Sequence, residues 1–110
     1  MAGKETNLLK LIQIECGKYG WLAIRLNSGI FYQGNIKNTP NGTILTNLRH
    51  CIGCPEGTSD LLIIKPNAEV IFCETKTLIG KQRESQKKFQ IAVEKLGHKY
   101  VLAKKVEDIY

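Results

Sequence analysis

Hydrophobic positions in the first half of the chain follow one helical pattern and several strand-like patterns. Over residues 5–17 the apolar positions recur on one broad helical face. Residues 21–26 form a short, mainly apolar run that is typical of a strand. Residues 30–36 and 43–48 are also β-prone and flank Pro40-Asn41-Gly42. Because Asn and Gly both tolerate positive φ, that segment predicts a hairpin.

The second half carries two short runs that are apolar at every position, residues 61–64 and 70–73, joined by turn-forming residues 65–68. Runs that are apolar on both faces are typical of central strands covered by helices on each side. Residues 83–96 then repeat apolar positions with helical spacing, and Gly97 follows as a C-cap. This half therefore predicts two core strands followed by a helix.

Residues 100–103 predict a last strand and residues 106–110 a final helical turn. The predicted order is helix, strand, hairpin, two core strands, helix and strand, which is a mixed α/β fold. The chain has 110 residues and shows no internal repeat or linker. We therefore expect a single domain over residues 1–110.

Composition narrows the class of protein. The 43% hydrophobic content argues against disorder, and no apolar run approaches the roughly 18 residues of a membrane span. The first residues turn polar and then amphipathic, unlike a secretory signal. We therefore expect a cytoplasmic protein without a membrane partner. The net charge of +6, from 16 Lys and Arg against ten Asp and Glu, weakly favours a polyanionic partner such as nucleic acid.

Charged residues collect at the ends of the two core strands. Asp60 directly precedes the first strand, and Glu74-Thr75-Lys76 ends the second. If the two strands pair through the turn between them, Asp60 and Glu74 lie at the same end of that pair. Alternation along the strand places the side chains of Glu74 and Lys76 on one side and that of Thr75 on the other.

Two close carboxylates repel each other unless a cation neutralises them. Hard divalent ions such as Mg²⁺ take oxygen ligands, so two carboxylates and a backbone carbonyl suffice with added waters. A lysine beside such an ion can stabilise developing negative charge. Charge alone favours a simpler alternative, a surface salt bridge from Lys76 to one of the carboxylates.

His50, Cys51 and Cys54 have the spacing of half a zinc site. A structural zinc needs four ligands, and only Cys16, Cys73 and His98 remain as candidates. Cys16 lies in a helical pattern and Cys73 in a strand pattern, where cysteine usually acts as a small buried residue. Free loop thiols are the favoured interpretation.

Several short segments follow one another along the chain: Arg25-Leu26-Asn27-Ser28-Gly29, the basic Arg49, Gly57-Thr58-Ser59-Asp60, Glu74-Thr75-Lys76, Gly80-Lys81 and Gln86. In this order and spacing they resemble the VRR-NUC family of the PD-(D/E)XK nuclease superfamily. The resemblance covers nearly the whole chain, from about Glu5 to Asp108. The family usually has Pro where this chain has Ser59, a change that shifts a turn without removing chemistry.

The resemblance implies a PD-(D/E)XK nuclease-like core with an extra hairpin, and it implies roles for individual residues. Asp60, Glu74 and the Thr75 carbonyl would bind the metal. Lys76 would assist the water or the transition state, and Gln86 would sit beside Lys76 and orient it or a phosphate. The residues implied in nucleic-acid binding are Arg25, Asn27, Ser28, Arg49, Lys81 and Arg83.

A carboxylate from the first helix normally completes such sites in the family. Glu5 and Glu15 both fall within the broad apolar face, so periodicity does not separate them. The family's spacing to the Arg-x-Asn-Ser-Gly segment matches Glu5 better, and Glu5 is therefore the expected metal ligand.

The activity implied is that of a Mg²⁺- or Mn²⁺-dependent endonuclease that hydrolyses DNA phosphodiester bonds. Small stand-alone, phage-type members of the family suggest selectivity for branched DNA such as four-way (Holliday) junctions, and action as a homodimer. The first alternative is a non-catalytic nucleic-acid-binding module with the same fold. The second is a small structural protein whose acidic pair forms only salt bridges.

Overall fold

A computed structural model describes residues 3–110 and shows a four-stranded sheet between two helices, with a separate two-stranded hairpin. The helices are α1 (Lys4–Lys18) and α2 (Glu84–Lys95), and a 3₁₀ helix, η1, covers Val106–Ile109. The strands are β1 (Leu22–Arg25), β2 (Ile30–Thr39), β3 (Gly42–Ile52), β4 (Leu61–Ile64), β5 (Val70–Thr75) and β6 (Lys99–Ala103).

The main sheet has the order β1-β4-β5-β6, so the two fully apolar runs form its central strands, as predicted. β4 pairs antiparallel with both β1 and β5, whereas β5 and β6 are parallel. Leu61 lies opposite Cys73 in the register of β4 and β5. Asp60 and Glu74 therefore follow at the same end of the pair, which confirms the predicted pairing.

Each face of the sheet packs against one helix. The core between α1, η1 and one face of the sheet contains Leu9, Ile12, Cys16, Leu61, Ile63, Ile71, Cys73, Ala103 and Ile109. On the opposite face, Phe89 of α2 packs edge-on against Phe72 and Tyr100, with ring centroids 5.6 and 6.2 Å apart. Alternation in β5 explains this division, because Ile71 and Cys73 point to one face and Phe72 to the other. Within residues 3–110, no helix is both long and apolar enough to cross a bilayer.

The hairpin of β2 and β3 is longer than predicted. The predicted strands stop at residues 36 and 48, but pairing continues to Thr39 and Ile52. The connecting turn is tight, and the Thr39 hydroxyl donates a hydrogen bond to the Gly42 carbonyl at 2.6 Å. The two strands pack mainly on each other. Ladder hydrogen bonds thus extend the strands beyond the β-prone residues.

Candidate active site

The polar residues at the ends of β4 and β5 line a cavity of about 240 Å³. α1 contributes to one side of it and the start of α2 to another. The lining residues are Glu5, Thr6, Leu9, Arg25, Asp60, Glu74, Thr75, Lys76, Arg83 and Gln86. All the residues expected to act in catalysis or to bind the metal therefore lie around one space.

Asp60 is anchored by the residue across the strand pair. Its Oδ2 accepts hydrogen bonds from the Thr75 backbone N–H at 2.9 Å and the Thr75 hydroxyl at 2.8 Å. Alternation along β5 was expected to turn the Thr75 side chain away from Glu74 and Lys76, and the structure shows that this side chain reaches Asp60. Asp60 precedes β4 rather than belonging to it, so its side chain can curve around the strand end to reach Thr75. This pair of bonds fixes the orientation of the carboxylate.

The loop before Asp60 is held against α2 by close packing. Gly57 has φ of 91°, and a Cβ there would overlap the Ser85 carbonyl. Only glycine fits this approach without a shift of the backbone. Ser59 is fully buried, and its hydroxyl donates to the Leu61 carbonyl at 3.2 Å. Serine thus stiffens the turn by hydrogen bonding, at the position where the resemblance places proline.

Glu74 is the most unusual group in the cavity. The residue is only 3% exposed, and its Oε1 has no hydrogen-bond partner among the residues described. Burial and then the neighbouring Asp60 carboxylate raise the pKa of Glu74 to about 8, while the charge of Lys76 opposes that rise. A buried carboxyl oxygen without a partner is unfavourable unless something else binds to it.

Lys76 bridges the strand end and the first helix. Its side chain is 13% exposed, and Nζ lies 3.7 Å from Oε1 of Glu5. Glu15 lies elsewhere on α1, where it pairs with Lys18 at 3.6 Å and accepts a hydrogen bond from the Tyr110 hydroxyl. Of the two glutamates that periodicity could not separate, the structure places Glu5 at the cavity.

Gln86 lies at the cavity but has a different contact from the one expected. It is 4% exposed, and its Oε1 accepts a hydrogen bond from the Arg83 backbone N–H at 2.8 Å, capping α2. Over residues 3–110 the structure shows no hydrogen bond between Gln86 and Lys76. The helix start leaves that N–H without an intrahelical partner, and the capping bond satisfies it.

The basic and polar residues expected to contact nucleic acid divide into two groups. Arg25 and Arg83 line the cavity. The other four lie outside its lining: the adjacent Asn27 and Ser28, Arg49 and Lys81. The Asn27 carbonyl accepts a hydrogen bond from Cys54 at 2.7 Å, and Ser28 bridges to Cys54, so these residues form the base of the hairpin. Arg49 lies on β3, with Nη2 at 3.5 Å from the Gln33 side chain.

The donor set is suited to a hard divalent cation. Two carboxylates converge, one of them with an unpartnered buried oxygen, and such ions complete their coordination with water. In the part of the chain that is described, no three His, Cys, Asp or Glu side chains form a metal-binding group, at this cavity or around the cysteines. Glu5 is turned to Lys76 instead. His50 packs edge-on against Tyr32, with ring centroids 5.6 Å apart.

Two contributions were missed by reasoning from the sequence. The first is the Thr75 side chain, which anchors Asp60. The sequence could have indicated this role, because a hydroxyl residue directly follows the predicted ligand Glu74. Thr6 and Leu9 also line the cavity. Leu9 belongs to the apolar helical face, and nothing in the sequence pattern distinguishes Thr6.

Comparison with known proteins adds one finding. No protein-family model and no curated protein sequence matches the chain. Among solved structures, a VRR_NUC domain has the same fold with a TM-score of 0.66 and 18% sequence identity. The likeness covers 98% of this chain and 91% of that one. The predicted fold class, and the predicted likeness to VRR-NUC, are confirmed at the level of the fold.

Proposed function

We propose that this protein is a divalent-metal-dependent nuclease that hydrolyses phosphodiester bonds in DNA. The observation that carries the proposal is the meeting of Asp60, Glu74 and Lys76 in one cavity, with a buried Glu74 oxygen that has no partner among the described residues. A fold shared with a VRR_NUC domain supports it. The net charge of +6 suits a polyanionic substrate.

The metal would be Mg²⁺ or Mn²⁺, held by Asp60, Glu74 and the backbone carbonyl of Thr75. Glu5 lies close enough to the cavity to join the set through a water molecule or after leaving Lys76. A bound divalent cation would supply an activated water and would offset the charge of the phosphate.

The protein's own residues prepare the site for that substrate. The two bonds from Thr75 hold the Asp60 carboxylate in place before any ligand arrives. Lys76, oriented by Glu5, holds an ammonium group beside the carboxylates, where charge develops on the phosphate during hydrolysis. Arg25 and Arg83 line the same cavity and can bind the flanking phosphates.

We further propose that the substrate is branched DNA, such as a four-way junction, and that the protein acts as a homodimer. The support for a dimer is the hairpin, where Ile30, Ile36 and Ile52 are 65%, 72% and 77% exposed. An isolated two-stranded hairpin is marginally stable in water, so apolar residues of this size favour a partner surface. A two-fold dimer has the symmetry of a junction with paired equivalent strands.

The test is cleavage of a labelled four-way junction in Mg²⁺ by the wild type and by Lys76→Ala. We expect the variant to cleave at least about a hundredfold more slowly, because it loses a positive charge at the reacting phosphate. Lys95→Ala, on the exposed last turn of α2, is the matched control and should retain full activity. Equal cleavage by the wild type and Lys76→Ala would refute the proposal, and tight metal-independent binding without cleavage would favour the non-catalytic alternative.

A further inference from the structure

Two large aliphatic side chains protrude beside the cavity with nothing in the fold to explain them. Leu78 and Ile79 are 78% and 89% exposed, the highest values among the large apolar residues whose side chains the structure describes. They occupy the two central positions of a turn closed by the Gly80 N–H donating to the Thr77 carbonyl at 3.0 Å. Such positions usually carry Gly, Pro, Asn, Asp or Ser, so neither burial nor turn preference accounts for this pair.

The turn is held in place rather than loose. Lys104 Nζ donates a hydrogen bond to the Leu78 carbonyl at 3.1 Å, which ties the turn to the segment after β6. A Cβ at Gly80 would approach the Thr77 hydroxyl to 2.9 Å, so the turn itself is tightly closed. Leu78 and Ile79 are therefore presented outward from a fixed support, which lowers the entropy lost when they contact a partner.

The surroundings of the turn are positively charged. A second cavity beside it is lined by Lys4, Lys76 and Lys104 together with Leu8, Thr77, Leu78 and Ile79, and Lys81 follows the turn in sequence. Lys76 also lines the candidate active site, so the two cavities adjoin. The partner of this surface must combine negative charge with an apolar face.

Nucleic acid has both properties and is already the proposed substrate at the adjoining cavity. Phosphates match the lysines, and the faces of bases match the aliphatic tips once a base step is opened. Proteins that distort DNA use the same chemistry, inserting apolar side chains between base steps. A branch point, where stacking is already interrupted, lowers the free energy needed to open the step.

We propose that the Leu78–Ile79 turn inserts between bases at an unstacked position of the DNA, next to the phosphate bound in the cavity. The proposal rests on the proposed nuclease function and adds to it how branched DNA is selected. Lys4, Lys81 and Lys104 would hold the backbone on either side of the opened step. Continuous duplex, which resists opening, would bind this surface less well.

The experiment uses a four-way junction with 2-aminopurine at the branch point, in Ca²⁺ so that binding is observed apart from cleavage. We expect the wild type to raise the fluorescence as the base unstacks, and the double variant Leu78→Ser/Ile79→Ser to abolish the rise. In Mg²⁺ the same variant should cleave the junction about tenfold less efficiently, with a smaller loss on continuous duplex. Ile91→Ser/Leu96→Ser, which alters two exposed aliphatic residues of the α2 region, should behave as the wild type.

The remaining outcomes overturn the proposal in distinguishable ways. If Lys76→Ala fails to cleave but the double variant unstacks and cleaves like the wild type, the insertion is refuted and the nuclease function stands. If the wild type neither binds nor cleaves DNA, both proposals fail. If the wild type binds anionic phospholipid vesicles through Leu78 and Ile79 without any 2-aminopurine response, the turn contacts a lipid surface instead. Unchanged circular dichroism of both double variants verifies that each is folded.

Discussion

The cavity end of the sheet and the β2–β3 hairpin both depart from the usual distribution of polar and apolar groups. The cavity end buries polar side chains, whereas the hairpin exposes apolar ones. At the cavity, Glu74 and Gln86 are 3% and 4% exposed. On the hairpin, Ile36 and Ile52 are 72% and 77% exposed. A buried polar atom without a hydrogen-bond partner, such as Oε1 of Glu74, and exposed apolar groups both raise the free energy of the isolated chain. If the proposals are right, each region is stabilised by what binds to it, a cation and phosphate at the cavity and a second copy of the chain at the hairpin.

The largest expected effect comes from neutralising the buried acid. Glu74→Gln keeps the shape of the side chain but removes a charged ligand, so cleavage of a four-way junction in Mg²⁺ should fall about a thousandfold. Glu94→Gln, on the exposed side of α2, is the matched control and should cleave normally. Near-normal cleavage by Glu74→Gln would place the metal-binding acid elsewhere.

The same variant tests the pH dependence of folding. The pKa of Glu74 is raised from 4.5 to about 8 in the folded protein, so between these values the folded chain keeps a proton that the unfolded chain has lost. The free energy of unfolding of the metal-free protein should therefore decrease as pH rises from about 5 to 8, by at most about 1.4 kcal/mol per pH unit. Urea unfolding at several pH values checks this, and Glu74→Gln should remove most of the slope. A wild-type curve that rises with pH would contradict the assignment.

The next largest effect is expected on the free energy of unfolding, where a residue of the core under the cavity should differ from one on the hairpin. Ile63 is fully buried beneath α1, so Ile63→Ala should cost about 3 kcal/mol of unfolding free energy through lost burial and a residual cavity. Ile36→Ala alters an exposed residue and should cost less than about 0.5 kcal/mol in dilute protein. Equal losses in urea unfolding would mean that the hairpin is packed within the single chain.

The smallest effect on folding stability is expected from substitutions on the hairpin, which should have the largest effect on dimer formation. Ile30 and Ile52 are paired across β2 and β3. Ile30→Ser/Ile52→Ser should leave the unfolding of dilute protein nearly unchanged but convert a dimer to a monomer in light-scattering measurements. The exposed Leu96→Ser is the control that should keep the wild-type mass. A wild type that is monomeric at all concentrations would remove the hairpin's proposed role in dimerisation.

The elements that pack on the core were predictable because the burial of one face gives their apolar residues a regular spacing in the sequence. The face of α1 and the wholly apolar β4 were both identified by that period, with bounds correct to about a residue. The hairpin was underestimated, because residues 37–39 near its turn and 49–52 at its base are paired by ladder hydrogen bonds without apolar alternation. Periodicity reports burial and carries little information about strands that are exposed on both faces.

The candidate site was predictable to the extent that strand ends fix where side chains meet. The pairing of β4 with β5 was enough to bring Asp60 and Glu74 together. The anchoring of Asp60 by Thr75 was not predictable, since it depends on how the chain curves just outside the strand. The capping bond of Gln86 likewise depends on where α2 begins, which patterns locate only to within a residue or two.

In a genetic screen, a substitution at Gly57 would resemble the loss of a catalytic residue, although it changes only the packing. Gly57 offers no functional group, yet any side chain there would push the start of α2, with Arg83 and Gln86, away from the loop before Asp60. A collection of inactive mutants would thus include position 57 among the apparent catalytic positions. Restoring activity would call for a compensating change in the backbone around Ser85 rather than for any new reactive group.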